Sequence, residues 1–215
     1  RGYPVVDDVN VLSYLEAENL YFETVMAPHQ ALIDNVFEEI KARQSPDDAS
    51  VPVRKGGYFY QWRYEEGAQY RVWRRWPLED PDAVETILDE PALAEGHEYF
   101  ALDSFSVSHN GRYLAYSTDT NGTERYTLTI KDLIDHRVLE DGITDTRSDV
   151  VWSADDRSFF YLVLNEQWRS HQVRRHVLGQ LVTEDVVVYQ ESEEGFSVEV
   201  DESSSRRYII ISTGD

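Results

Sequence analysis

FSVSHNGRYLAYS (105–117) and VVWSADDRSFFYL (150–162) read as one local structure written twice, 45 positions apart. In each, apolar residues alternate on either side of a short polar turn, the period-two pattern of a half-buried strand pair. Val107 falls on Trp152, Ser108 on Ser153, Leu114 on Phe159 and Tyr116 on Tyr161. A looser third copy, SVEVDESSSRRYIIIS (197–212), follows at nearly the same offset, with a turn at SSSRR that reads as slightly longer. Repeats of about 40–50 residues, each holding several short strands, point to a β-propeller. A four-stranded sheet with two apolar faces needs a neighbour on each side, and radial stacking supplies both.

Working outward, GGYFYQWRYEEGAQYRVWRRW (56–76) reads as two strands around the turn Glu65-Glu66-Gly67. The segment 105–133 supplies three more around Asn110-Gly111 and Asn121-Gly122, strong short hairpin signals. A strand near VLED (138–141) completes a four-stranded unit. The expected fold is mainly β: an incomplete β-propeller of about three blades and the start of a fourth, preceded by two α-helices. The expected division is a helical segment over 1–45 and a partial propeller over 46–215. Its blades fall roughly at 51–100, 101–148, 149–195 and, incomplete, 196–215. Propellers close with four to eight blades, and the sequence stops inside one at STGD (212–215). It also lacks an initiator Met. The expectation is a piece of a longer protein whose uncovered strand edges and apolar face favour self-association.

Before the strands, the period is 3.6. Val11, Leu12, Leu15, Phe22, Val25 and Met26 share one face of a first helix, with Asp7 or Asp8 placed to cap it. Pro28 ends that helix or opens the next. In PHQALIDNVFEEIKAR (28–43), Leu32, Ile33, Val36, Phe37 and Ile40 line one side, and Lys41 and Arg43 suit the last turn. QSPDDAS (44–50) is a breaker cluster.

The 215 residues are 41% hydrophobic and 13% aromatic, enough for a packed core. No apolar run approaches the roughly 20 residues that span a bilayer, and the first ten residues have no signal-peptide pattern. With no cysteine, thiolate chemistry and disulfides are excluded, in keeping with a reducing, cytoplasmic setting. Lys and Arg total 20 against 41 Asp and Glu, a net charge of −21. Such a surface repels phosphate backbones and attracts cationic ligands, although solubility alone also accounts for it.

No G-x-S-x-G elbow occurs. Ser203, Ser204 and Ser205 sit in a strand-to-strand turn without flanking glycines, so no catalytic serine is assigned. His29, His97, His109, His136, His171 and His176 form no H-x-x-x-H or H-E-x-x-H pair, and they read as surface or packing residues. No metal, cofactor or catalytic residue is assigned. The acid pairs Glu38-Glu39, Asp47-Asp48, Glu65-Glu66, Asp155-Asp156 and Glu193-Glu194 point to opposite faces where they lie on strands. They read as solvated, with Asp155-Asp156 in turn chemistry. Arg71, Arg74 and Arg75 interleave with Trp73 and Trp76, a base-stacking pattern better explained as strand alternation in so acidic a chain. Asn121-Gly122-Thr123 is a glycosylation sequon by pattern.

The chain resembles oligopeptidase B, a branch of the prolyl oligopeptidase family of serine peptidases. The likeness rests on VLSYLEAEN (11–19) with Tyr21, SVPVRKGGYFYQWRYEEGAQY (50–70), ILDEPALAEGHEYF (87–100), DVVWSADDRSFFY (149–161) and VRRHVLGQLVTEDVVVYQE (173–191). The resemblance implies a seven-bladed propeller covering an α/β-hydrolase peptidase domain, cleavage of short peptides after Arg or Lys, and no cofactor. It places the Ser/Asp/His triad and the basic-residue pocket C-terminal to residue 215. The partners it implies are short basic peptides and that peptidase domain, with neither nucleic acid nor membrane. On this reading the chain gates access and hydrolyses nothing alone. The alternative class is a propeller interaction module with no enzymatic partner.

Overall fold

The computed structural model describes residues 7–43, 45 and 48–215. Residues 1–6 and three of the seven residues of the breaker cluster (44, 46 and 47) lie outside it, so Asp47 of the Asp47-Asp48 pair does too.

Alternating, aromatic-rich segments form antiparallel meanders. Strands β1 (Val53–Lys55), β2 (Tyr58–Tyr64), β3 (Arg71–Pro77) and β4 (Glu85–Asp89) pair in chain order. Helix α1, Val9–Met26, and its successor α2, Gln30–Ala42, precede them, and a short helix α3, Glu90–Ala94, follows. Next come β5 (Ala101–Val107), β6 (Tyr113–Asp119), β7 (Tyr126–Asp132), β8 (Arg137–Trp152), β9 (Ser158–Leu164), β10 (Ser170–Val177) and β11 (Val186–Gln190), one continuous seven-stranded sheet. Strands β12 (Ser197–Glu202) and β13 (Ile209–Gly214) form a separate pair.

The seven-stranded sheet is two four-stranded blades sharing β8. Its first part pairs with β7, its last part with β9, and Thr146 stands opposite both Tyr126 and Val163. The sequence suggests two strands here. A single strand runs through because left-handed Gly142 (φ 99°) and Asp145 (φ 58°) bend it without ending it, and the register shifts between Arg147 and Val151. Bulges of this kind increase local twist, which carries the strand from one blade into the next.

Side-chain alternation shows the stacking. Leu114 and Tyr116 of β6 join Tyr60, Ile87, Leu88, Val107 and Leu133 in a core between the first and second blades. Ala115, the residue between them, points the other way, into a core with Leu128, Ile130, Val150, Trp152, Phe159 and Tyr161. On β8 and β9, Val151 and Leu162 turn to a third core with Val173, Val198 and Val200. Each of these strands thus feeds two apolar layers, as stacked blades require. Polar ties cross these layers: Trp152 Nε1 donates to Ser106 O (3.1 Å), and Lys131 Nζ to Ile87 O (3.0 Å). The fold is an open set of propeller blades preceded by two helices.

Asp8 caps α1, accepting from the Asn10 N–H at 2.8 Å. Pro28 sits in the 3-10 link Ala27–His29 between the helices. Neither α1 nor α2 contains a buried residue. Phe22, Val25, Val36, Phe37 and Ile40 are all exposed, so the apolar faces read from the 3.6-residue period are covered by no other part of the chain among the described residues.

Candidate functional site

The most repeated feature is the turn joining the first two strands of each blade. Ser108, Ser153 and Ser203 open three of these turns. Each backbone N–H donates to the carbonyl five residues on, at Tyr113, Ser158 and Tyr208, at 2.9 Å in every case. The N–H of that fifth residue returns to the serine hydroxyl at 2.9, 3.1 and 3.1 Å. Between them Gly111, Asp156 and Arg206 adopt left-handed φ values of 74°, 54° and 57°. The three turns have equal length, which corrects the expectation of a longer turn at 203–207. Ser203 is therefore occupied as a turn former, and Ser204 and Ser205 are exposed beside it.

Charged side chains from four successive blades gather at these turns. The Asp156 carboxylate is buried. It accepts from the backbone N–H of His109 (2.8 Å) and of Asn110 (2.9 Å), and lies 3.0 Å from His109 Nδ1. His109 Nε2 lies 2.6 Å from Glu202 Oε1, so one imidazole links three blades. Lys55, from the first blade, donates to Val107 O at 2.9 Å. Burial, then the positive charge of Arg206, pulls its pKa below the usual lysine value, opposed by Glu202 and Asp156. Mixed charge, and not a wall of acids, marks this end of the blades.

These contacts correct two readings. Asp156 is not solvated: it is an inter-blade anchor, while its neighbour Asp155 accepts within the turn from Ser153 Oγ (2.7 Å) and the Arg157 N–H (3.0 Å). His109 and His176 are more than packing residues. The buried His176 Nδ1 lies 2.7 Å from Asp185 Oδ1, and Asp185 Oδ2 accepts from the Tyr161 hydroxyl at 2.7 Å. The strict 45-residue offset held the signal for His109: Asp156 sits 47 positions later, in the next copy of the same turn.

The other candidates scatter. His29, His97 and His136 are exposed, and His171 Nδ1 lies 3.1 Å from Val163 O. Glu38-Glu39 and Glu193-Glu194 are exposed. Glu65 pairs with Arg74 at 2.5 Å. Arg75 is buried against Glu85 and the Gly111 carbonyl, and Arg71 lies over Trp62 at 5.3 Å. Trp73 stacks on Phe105 (4.0 Å between ring centres) and Trp76 on Phe59 (5.9 Å). The arginine–tryptophan segment therefore forms packing within and between blades, with no free stacking platform. In the sequon loop, Thr123 Oγ1 donates to Asn121 Oδ1 at 2.6 Å. That loop spans 120–125 between β6 and β7, with Asp119 accepting from the Asn121, Gly122 and Glu124 N–H groups, so it is longer than a two-residue hairpin. Among the described residues, no group of three or more His, Asp or Glu is placed to hold a metal ion. No described helix is long and apolar enough to cross a membrane.

The profile of the prolyl oligopeptidase N-terminal β-propeller domain matches residues 6–215. The chain is 36% identical over 222 residues to dipeptidyl aminopeptidase BI of Pseudoxanthomonas mexicana, covering 96% of this chain and 31% of that protein. It is 30% identical over 212 residues to protease 2 of Moraxella lacunata, covering 95% and 31%. Among solved structures, oligopeptidase B from Leishmania major superposes with a TM-score of 0.84 at 29% identity, over 97% of this chain and 30% of that one. Prolyl oligopeptidase B from Galerina marginata shares the fold, with a TM-score of 0.76 at 18% identity. The chain spans about a third of the length of these relatives.

Proposed function

The chain belongs to the prolyl oligopeptidase family as its N-terminal β-propeller portion, and from that premise we propose that it is the access-restricting part of a cytosolic serine peptidase. Its working unit on this reading is a helical segment over 1–45 followed by propeller blades over 46–215. The blades supply a wall that folded proteins cannot pass and short extended peptides can. The observation carrying this is the blade stack with its inter-blade anchors, which makes the wall rigid. Catalysis belongs to the remaining two-thirds of the relatives' length, and this chain contributes no catalytic residue. The apolar, uncovered faces of α1 and α2 suit contact with that peptidase portion.

The preferred substrates are short peptides cleaved after Arg or Lys, drawn in by the net charge of −21. The name of one relative, dipeptidyl aminopeptidase BI, makes removal of N-terminal dipeptides the competing specificity. The test uses arginyl chromogenic peptides, N-blocked and with a free amino-terminal dipeptide, on this chain alone and on the longer protein. Only the longer protein turns them over, and the blocked substrate is cleaved. Turnover by the repurified chain alone overturns the division of labour, and cleavage of the free dipeptidyl substrate only overturns the specificity.

A further inference from the structure

The bend in β8 leaves a wedge between the second and third blades, at the end opposite the serine turns. It forms a cleft of about 910 Å³, within the usual range for small-molecule sites. Its lining is mixed: the apolar Ile143, Val163 and Val182 stand beside the cations Arg125 and Arg174 and the acids Asp145 and Glu166. The rim is held open by ties between loops of the two blades. Trp168 Nε1 donates to Thr123 O at 2.6 Å, and Arg125 donates to Asn165 O at 2.6 Å and to Asp145 at 2.7 Å. The Arg125 guanidinium also lies 4.4 Å from the Trp168 ring centre. Arg125 is thereby spent on structure.

Arg174 is so only in part. Its Nε donates to Gln172 Oε1 at 2.9 Å and its guanidinium hydrogen-bonds the Tyr161 hydroxyl, yet it pairs with no carboxylate among the described residues. The nearby Asp185 is already engaged by Tyr161 and His176. Burial, then the bond to Asp185, pushes the Tyr161 hydroxyl well above its ordinary pKa, so it stays a neutral donor committed to that acid. In a chain of net charge −21, an arginine with no acidic partner among the described residues, at the wall of a preformed cleft of mixed polarity, is a recognition element in waiting. A guanidinium takes a carboxylate through paired hydrogen bonds, and the apolar lining accepts a side chain beside it. We propose that this inter-blade cleft binds short peptides with a free C-terminal carboxylate and an apolar last residue, the carboxylate on Arg174. This inference does not depend on the proposed specificity.

The test is an amide-resolved NMR titration of the protein with the dipeptide Ala-Phe and with its C-terminal amide, Ala-Phe-NH2. Expected are shifts centred on residues 142–145 and 163–174, with the acid bound about ten-fold or more tightly than the amide. R174Q abolishes that preference while leaving the thermal midpoint in place, and R174K keeps part of it. Equal affinity for acid and amide overturns the site. So does a preference unchanged in R174Q, or absence of binding at concentrations of roughly 10 mM, about the weakest affinity such a ligand would show.

Discussion

At the scale of residues, the inter-blade ties define the account. Asp156 is the sharpest case, because its buried carboxylate accepts two backbone N–H groups and faces the His109 ring. Asp156→Ala removes those bonds, leaves His109 unpaired on one side and places Ala at φ 54°. It is expected to cost about 3–5 kcal/mol in denaturant unfolding. Asp156→Asn keeps an acceptor in a residue type that tolerates the left-handed region and costs less than half as much; equal losses would contradict the anchor. Asp132 sets an acid limb. Burial alone would raise its carboxyl, but hydrogen bonds from Arg112 (2.9 and 2.7 Å), Asp135 and Ile134 hold it below the ordinary aspartate range. A depressed folded pKa gives stability that is fully present above about pH 4 and lost as pH falls through the folded value. Asp132→Asn should therefore be less stable at neutral pH and show a flatter decline under acid, read from unfolding midpoints at pH 7 and pH 3. The sequence makes Ser203 legible as a turn former and leaves Asp156 illegible, because an acid pair in a turn gives no sign of which member faces inward. Only aligning the copies of the turn puts Asp156 next to His109.

At the scale of elements, two classes of apolar residue respond differently to truncation. Leu128 is fully buried between the second and third blades, and Leu128→Ala should lower stability by about 2–5 kcal/mol. Phe37 is 59% exposed on α2. Phe37→Ser in this chain should change stability by no more than about 0.5 kcal/mol, although both positions look equally hydrophobic in sequence. A large loss at Phe37, measured by the same denaturant curves, would mean that α2 packs where the structure leaves it free. Strand alternation was readable where a strand buries one face only, as in β12, where Val198 and Val200 are buried while Glu199 and Asp201 are exposed, so period two survives in the sequence. The fusion of two expected strands into β8 was not, since Gly142 and Asp145 resemble turn residues and act as bends. Helix α3 carried a usable signal that propeller periodicity obscured: Asp89 caps it, accepting from the Ala92 N–H at 3.0 Å, and Pro91 lies in its first turn.

At the scale of the whole molecule, the blades form an open stack. Strand β13 has a paired neighbour on one side only, and both leading helices present apolar faces. Studied alone, the chain should self-associate through these surfaces; sedimentation showing one compact monomer across a wide concentration range would contradict that. Under the proposed function, the same surfaces would meet the next strand and the peptidase portion, and the blades would restrict access. The most direct test of that role is the size dependence of cleavage by the intact longer protein, using substrates with one central arginine and increasing total length up to a folded domain. The account predicts high kcat/KM for short peptides and a collapse once the substrate is folded. A rate indifferent to size would show that the blades do not guard the site.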